Sequence, residues 1–213
     1  MKKIFALISA LFFLTTFSAK AEVQFGFGLM AGQLSSDGTE TEGTAADTSN
    51  RSKSFEETFF GADLFLEVVN DSGLTFGISY VPVDFELGSG TRVDTSTGAD
   101  VASEADTGTR TASADVTDLM SVYTNIPMGG NGFYGLLGGK FATITTSETL
   151  NTSNYGNEDV MAYEIGLGKR NGKVKYELSY TDFEDISLSS SGGGTNSITA
   201  DADALTFRLS VGF

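Results

Sequence analysis

Five charged side chains interrupt segments of this sequence that are otherwise apolar, small or glycine-rich, and they are its first candidates for chemistry. Opposite charges at such positions either neutralise each other as buried ion pairs or line a path for a polar solute. Because buried charges must be partnered, we interpret the set as a paired charge network that fills an interior. The predicted network comprises Asp63, Asp118, Lys140, Glu164 and Arg208.

The composition excludes the commonest catalytic schemes. The chain contains no His and no Cys, so Ser-His, Asp-His and Cys-based nucleophilic catalysis are ruled out, as are disulfides and thiolate metal sites. The glycine-rich run at residues 135–140 is similar to a phosphate loop, but Phe141 stands where Ser or Thr is required. Acidic residues between positions 94 and 106 lack the spacing of a calcium-binding EF-hand loop. We therefore expect no enzyme, no catalytic or metal site and no cofactor.

A strict alternation at the end of the chain shows which kind of element positions these charges. Leu205, Phe207, Leu209, Val211 and Phe213 alternate with small, polar or charged residues, among them Arg208. Successive side chains of a strand point to opposite faces, so this strand has one apolar face and one polar face. In a transmembrane barrel, the apolar face meets lipid and the polar face meets the lumen. The 26 Gly, 17 Phe and 7 Tyr of the chain, with only 2 Pro, also favour a β-barrel.

Seven further segments alternate in the same way, which predicts an antiparallel up-and-down barrel. The eight predicted strands cover residues 23–33, 59–69, 74–80, 115–124, 133–143, 161–168, 174–180 and 205–213. Four long polar loops are predicted at residues 35–54, 88–112, 145–158 and 185–203, and three short turns at 70–73, 125–132 and 170–173. An even number of strands joined alternately by long and short connections is typical of a bacterial outer-membrane barrel.

The predicted register is weakest in the fourth strand. The best alternation there sends Leu119 and Tyr123 outward and Asp118, Met120 and Val122 inward. A slip of one residue would invert this assignment.

The first 21 residues have the pattern of a secretory signal peptide. Lys2 and Lys3 precede an apolar run at residues 4–17, and Ala19 and Ala21 form a small-x-small cleavage pattern. The sequence therefore predicts cleavage after Ala21, export of the chain, and one barrel domain at residues 22–213.

With these features together, the sequence resembles small eight-stranded outer-membrane proteins of the OmpA-barrel, OmpX and opacity-protein kind. The resemblance rests on the signal peptide, the long and short connections, the glycine-rich strands at residues 25–28 and 133–139, and the terminal alternation. It implies residence in the lipid of the bacterial outer membrane. It also implies that the last strand, through Leu205, Phe207, Leu209, Val211 and Phe213, is the signal read by the barrel-assembly machinery. The sequence ends with the barrel, so we expect no peptidoglycan-binding domain after it.

The formal net charge of −15 argues against binding to nucleic acid by phosphate neutralisation. We expect a monomeric barrel with a plugged polar lumen and acidic extracellular loops, in a structural or surface-interaction role such as envelope integrity, adhesion or shielding. One alternative is a porin-like channel for small solutes. A second alternative is a soluble, lipocalin-like periplasmic carrier, which would need its apolar face inside.

Overall fold

The computed structural model describes residues 21–44, 47–94, 108–149, 154–191 and 196–213. Of the predicted cleavage site, Ala19 lies outside these residues and Ala21 is the first residue within them, so cleavage there stays a prediction. In the described ranges, no helix is long and apolar enough to cross a membrane. Ten strands lie in these ranges: β1 Glu22–Thr44, β2 Asp47–Val69, β3 Thr75–Tyr80, β4 Phe85–Asp94, β5 Gly108–Pro127, β6 Phe133–Glu148, β7 Asn157–Asn171, β8 Val174–Phe183, β9 Ile186–Ser189 and β10 Ser197–Gly212.

The strands close into an eight-stranded antiparallel barrel, which confirms the predicted fold. Neighbouring strands in the chain pair in order, and β10 pairs with β1 from Gly26 opposite Gly212 to Thr41 opposite Ser197. The segments β3 and β4 form one interrupted barrel strand, and β8 and β9 form another. Pro82, which has no backbone N–H to donate, lies in the interruption between β3 and β4. Closure leaves no open sheet edge to face lipid.

One half of the barrel has an apolar exterior. This half, the lower barrel, adjoins the three short turns and contains Phe213. Its outward side chains form a continuous belt, and the registers predicted for seven of the eight strands agree with it. The belt includes Val23, Phe25, Phe27, Leu29, Phe60, Leu64, Tyr80, Phe133, Leu137, Tyr163, Ile165, Leu167, Tyr176, Leu178, Tyr180, Leu205, Phe207 and Leu209, all exposed.

The register predicted for the fourth strand is wrong. Leu119 and Tyr123 are buried inside the barrel, whereas Asp118 is exposed on the outer face. The cause is a bulge in β5, where pairing with β6 shifts between Thr117 and Met120 and Asp118 adopts a positive φ of 51°. A bulge adds one residue to a strand, so the alternation changes phase at that point.

The strands are also longer than predicted, because much of the sequence assigned to polar loops is strand. The hairpin of β1 and β2 has 23 residues in each strand and stays paired up to Thr44 opposite Asp47. A tilted membrane strand needs only about 9–11 residues. The remaining dozen, at about 3.3 Å each and tilted by about 40°, extend this hairpin roughly 30 Å beyond the membrane, and the shorter strands beside it, such as the 15-residue β7, extend less far. We call this part the upper barrel.

The polarity of the wall is reversed in the upper barrel. There the buried inward side chains are apolar and form one core, which includes Leu34, Phe85, Leu87, Val116, Ile144, Val160, Ile186, Leu188, Ala202 and Ala204. The neighbouring outward residues are polar, as with Asp37 and Thr39 of β1. The exterior faces water at this height, so the apolar side chains are stabilised by facing inward.

Candidate functional site

The interior of the lower barrel is lined by charged side chains, and Arg208 of β10 lies at the centre of the first group. Its guanidinium binds Asp63 of β2 through two parallel hydrogen bonds, Nε to Oδ1 at 3.0 Å and Nη2 to Oδ2 at 2.7 Å. Its Nη1 donates to Glu177 of β8. The side chains of Asp63 and Glu177 are only 1% and 3% exposed, so one cation bridges two buried carboxylates. Among the described residues, the second oxygen of Glu177, Oε1, accepts no hydrogen bond.

A glycine makes room for this group. Gly28 of β1 lies directly opposite Asp63. A Cβ atom at position 28 would be 2.2 Å from Asp63 Oδ1 and 2.7 Å from Arg208 Nε. Any side chain at this position would therefore displace the ion pair. The glycine at position 28 of β1 therefore leaves the space that the Asp63–Arg208 ion pair occupies inside the barrel.

A second group is built around Glu67 of β2, whose side chain is fully buried. Arg170 Nη2 donates to Glu67 Oε2 at 2.9 Å, and the Tyr123 hydroxyl donates to Oε1 at 2.8 Å. Lys175 Nζ also donates to Oε1. The carboxylate thus receives three hydrogen bonds, two of them from cations.

Phe65 joins the two groups. Its ring centroid lies 4.6 Å from Lys175 Nζ and 5.0 Å from Arg208 Cζ, within cation–π distance of both. The ring fits because position 26 on the neighbouring strand is glycine, where a Cβ would lie 2.4 Å from the ring.

Lys140 and Glu164 form a separate pair on β6 and β7. Lys140 Nζ lies 3.0 Å from Glu164 Oε1, and the Ser179 hydroxyl donates to the same oxygen at 2.7 Å. Four of the five residues predicted as a network thus lie inside the barrel, in two separate places. The fifth, Asp118, lies on the outer face because of the bulge in β5.

Alternation also predicts that Glu67, Lys175 and Glu177 face the lumen, nearer the periplasm than the five network residues. It misses two other contributors to this interior. Arg170 was predicted to lie in a hairpin turn, but the structure places it in β7. It is an even number of residues from Glu164 on the same strand, so the two side chains point to the same, inner face. Tyr123 was assigned to the wrong face. The ion pairs of the lower barrel join four cations with four carboxylates and are electrically balanced. The members are Lys140, Arg170, Lys175 and Arg208 on one side and Asp63, Glu67, Glu164 and Glu177 on the other.

Little space remains beside these groups. The cavity bounded by Tyr123, Lys140, Glu164, Glu177 and Arg208 has a volume of about 40 Å³. That is room for one or two waters. The charges therefore pair with one another rather than line an open path.

The last strand closes the barrel against the first. The backbone N–H of Phe213 donates to the carbonyl of Phe25 at 2.7 Å. The Phe213 ring lies 5.8 Å from the ring of Phe25 and 6.2 Å from that of Phe27. Of the other predicted signal residues, Leu205, Phe207 and Leu209 are exposed on the belt and Val211 is partly exposed.

In the described part of the upper barrel, Asp115 has a shifted pKa. Burial raises the pKa of Asp115 on β5, and the nearby carboxylates of Glu86 and Asp84 raise it further. These acids do not make a metal site: among the described residues, no group of three or more acidic side chains could hold a metal ion.

The chain matches no protein-family model and no curated protein. Among solved structures it is similar to Neisserial surface protein A, at 10% identity over 88% of this chain and 97% of that chain, with a TM-score of 0.40. It is similar to the outer membrane protein OprG from Pseudomonas aeruginosa, at 11% identity over 88% and 96%, with a TM-score of 0.44. The attachment invasion locus protein Ail of Yersinia pestis matches at 10% identity over 84% and 97%, with a TM-score of 0.31. At these values the likenesses decide nothing about what this chain binds or does.

The fold and the distribution of apolar and charged residues show which class of β-barrel this chain forms. An all-antiparallel closed barrel with an apolar belt outside and paired charges inside is a β-barrel of the outer-membrane type. Its membrane is the bacterial outer membrane, where barrels of this type reside.

Proposed function

We propose that this chain is a monomeric, non-conducting outer-membrane barrel that displays the upper barrel at the cell surface, in a structural or surface-interaction role. The observation that carries the proposal is the filled interior of the lower barrel. Four cations pair with four carboxylates there, and a cavity of only about 40 Å³ is left beside Arg208. A charge network of this kind stabilises the closed state, because opening it would unpair buried charges.

The exterior supports the placement in the membrane. Phe60, Tyr163 and Leu167 are each more than 60% exposed. Such side chains are stable on a barrel surface in lipid and costly in water. A soluble carrier would bury them, so this belt disfavours the lipocalin-like alternative.

The upper barrel supports the surface role. In outer-membrane barrels, the short turns face the periplasm and the longer connections face the exterior. The upper barrel lies on the side away from the short turns, and its height of roughly 30 Å at the hairpin of β1 and β2 is enough to carry its tip clear of the membrane. A rigid, extended β-structure with polar outer side chains is suited to contact or shielding at the cell surface. No catalytic role is proposed, since the chain has no His or Cys.

Planar-bilayer recording of the purified protein tests the proposal. We expect no stable conductance from the native chain. The positive control is a variant carrying Asp63→Ser, Glu177→Ser and Arg208→Ser, which removes the whole Arg208 group and leaves Arg170 and Lys175 bound to Glu67. This variant should show openings, because three charged side chains are replaced by short neutral ones beside the small cavity at Arg208. Reproducible openings of the native protein at the same frequency would refute the plug and favour the small-solute channel.

We further propose that the terminal strand, with Phe213, is read by the barrel-assembly machinery during biogenesis. The contacts of Phe213 with Phe25 and Phe27 support this proposal, because they lie at the seam where the barrel closes.

A further inference from the structure

The upper barrel contains a cavity that the plug does not fill. Its volume is about 420 Å³, within the range of roughly 300–1,000 Å³ found for small-molecule sites. Apolar side chains from several strands line it, including Phe55, Leu87, Ile144, Ile186, Leu188 and Ile198. It lies in the upper barrel, whose buried core includes Leu87, Ile144, Ile186 and Leu188, and the charged interior of the lower barrel lies beneath that core. The cavity is therefore an apolar chamber with a closed floor.

A cation stands on the wall of this chamber. Lys53 of β2 lines the cavity, with its ammonium 4.3 Å from the ring centroid of Phe55 and 3.1 Å from the carbonyl oxygen of Ser89. Both of these partners are neutral, so the positive charge is available to an anion. Arg51 and Arg110 line the same cavity.

Two acids also line the cavity, and one of them, Glu40, lies directly opposite Arg51 on the paired strands β1 and β2. Glu40 accepts the hydroxyl hydrogen of Tyr155 at 2.6 Å, and Glu148 accepts a hydrogen bond from the backbone N–H of Tyr155. Tyr155 itself is buried, so it fixes these two carboxylates to the connection between β6 and β7. The wall thus carries three cations and two acids, and Lys53 is the cation that contacts the neutral groups of Phe55 and Ser89. An apolar chamber beside a cation complements a molecule with an aliphatic chain and one anionic head.

We propose that the upper barrel binds an aliphatic monocarboxylate, with its chain against the partly exposed Phe55, Ile198 and Ala200 and its carboxylate on Lys53. The chain is bound by burial of apolar surface in a preformed chamber. The carboxylate is bound by a charge-assisted hydrogen bond from the ammonium. The site is separate from the charged interior below, so binding does not depend on whether the barrel conducts.

Methyl NMR of the isoleucine-labelled protein in lipid nanodiscs, titrated with decanoate, tests this site. Ile144 and Ile186 report the chamber. Ile165 points outward on the belt and reports decanoate that simply partitions into the lipid. We expect saturable shifts of the two chamber methyl groups at decanoate concentrations that leave Ile165 unchanged. Chamber shifts that only follow those of Ile165, or no chamber shifts, would overturn the proposal.

Variants separate the roles of the chain and the head group. Lys53→Gln should raise the decanoate Kd about two- to fivefold, the effect expected for a solvent-accessible ion pair. Lys169→Gln, the matched control at the lower end of the barrel, should leave it unchanged. Decanol, which lacks the charge, should bind Lys53→Gln and the native chain equally. An unchanged decanoate Kd in Lys53→Gln would refute the assignment of the carboxylate to this lysine.

A chamber-filling variant, Ala200→Trp, tests the location independently. Ala200 lines the cavity, and an indole there should abolish the saturable shifts while Ile165 keeps its native resonance. If saturable binding persists in a folded Ala200→Trp barrel, the chamber is not the site. If that variant fails to fold, the comparison of Lys53→Gln with Lys169→Gln decides alone.

Discussion

Replacing Arg208 by Met should destabilise the barrel more than any other single change to its interior. The guanidinium is the common partner of Asp63 and Glu177, whose side chains are 1% and 3% exposed. Met fills a similar volume but donates no hydrogen bond. Both carboxylates would then lie buried without the cation that compensates them.

The magnitude follows from the cost of leaving a buried ion unpaired. Removing one partner of a buried pair costs about 3–5 kcal/mol. Two carboxylates lose their partner here, which places the expected loss for Arg208→Met at the upper end of that range. The other cations of this region are already paired, Lys175 with Glu67 and Lys140 with Glu164.

The assay is equilibrium urea unfolding of the refolded barrel in lipid vesicles. Far-UV circular dichroism is a suitable signal, because the structure is nearly all strand and the chain has no Trp for fluorescence. A matched variant carries Arg208→Met together with Asp63→Asn and Glu177→Gln, so that no ion of this group remains. It should recover most of the lost stability, because neutral amides are far less costly to bury than carboxylates.

Two results would refute this reasoning. If Arg208→Met unfolds within about 1 kcal/mol of the native chain, the three side chains are solvated rather than buried, as at an exposed ion pair. If the neutral triple variant is no more stable than Arg208→Met, the loss comes from packing rather than from unpaired charge.

Three more outcomes are expected. Gly77→Ala should lower the free energy of unfolding by about 1–3 kcal/mol, since its Cβ would lie 2.4 Å from the Tyr123 ring; the outward control Gly139→Ala should be near neutral in the same urea assay. Deleting Phe213 should reduce the amount of folded barrel in outer-membrane fractions more than any loop deletion, and normal levels would contradict the proposed assembly signal. Asp115→Asn should stabilise the barrel by about 0.2–1 kcal/mol at pH 7 by relieving cross-strand repulsion. Because burial and the neighbouring carboxylates raise the folded pKa of Asp115, this gain appears as pH rises through that pKa and vanishes below the ordinary pKa of an aspartate. A gain that persists in acid would exclude the electrostatic cause.

The lower barrel could be predicted from the sequence because lipid requires the apolar side chains of each strand to point outward. Phe25, Phe27 and Leu29 must face outward there, and Leu205, Phe207 and Leu209 likewise, so simple alternation identifies both the strand and its orientation. The same rule places Asp63, Lys140, Glu164 and Arg208 inside.

The upper barrel was missed because its polarity is reversed and its apolar residues are sparse. Ile186, Leu188 and Ala202 are inward-facing apolar residues in a segment predicted to be a loop. Their neighbours are Thr, Ser and acidic residues, and several inward positions hold only Ala. Assigning loops by their polarity therefore misses these strands. A search for alternating segments with polar residues outside and apolar residues inside would have found them.

The sequence by itself determined the closed antiparallel barrel, its apolar belt and the inward direction of most of its charges, since these depend on local alternation and on the contrast between lipid and water. Only the tertiary structure decided which charges meet. Asp63 and Arg208 are 145 residues apart and come together because both strands pair with β1, where Gly28 lies opposite Asp63 and Met30 opposite Arg208. The bulge that turns Asp118 outward and Tyr123 inward, like the apolar chamber beside Lys53, depends on pairing between distant strands, which no local pattern encodes.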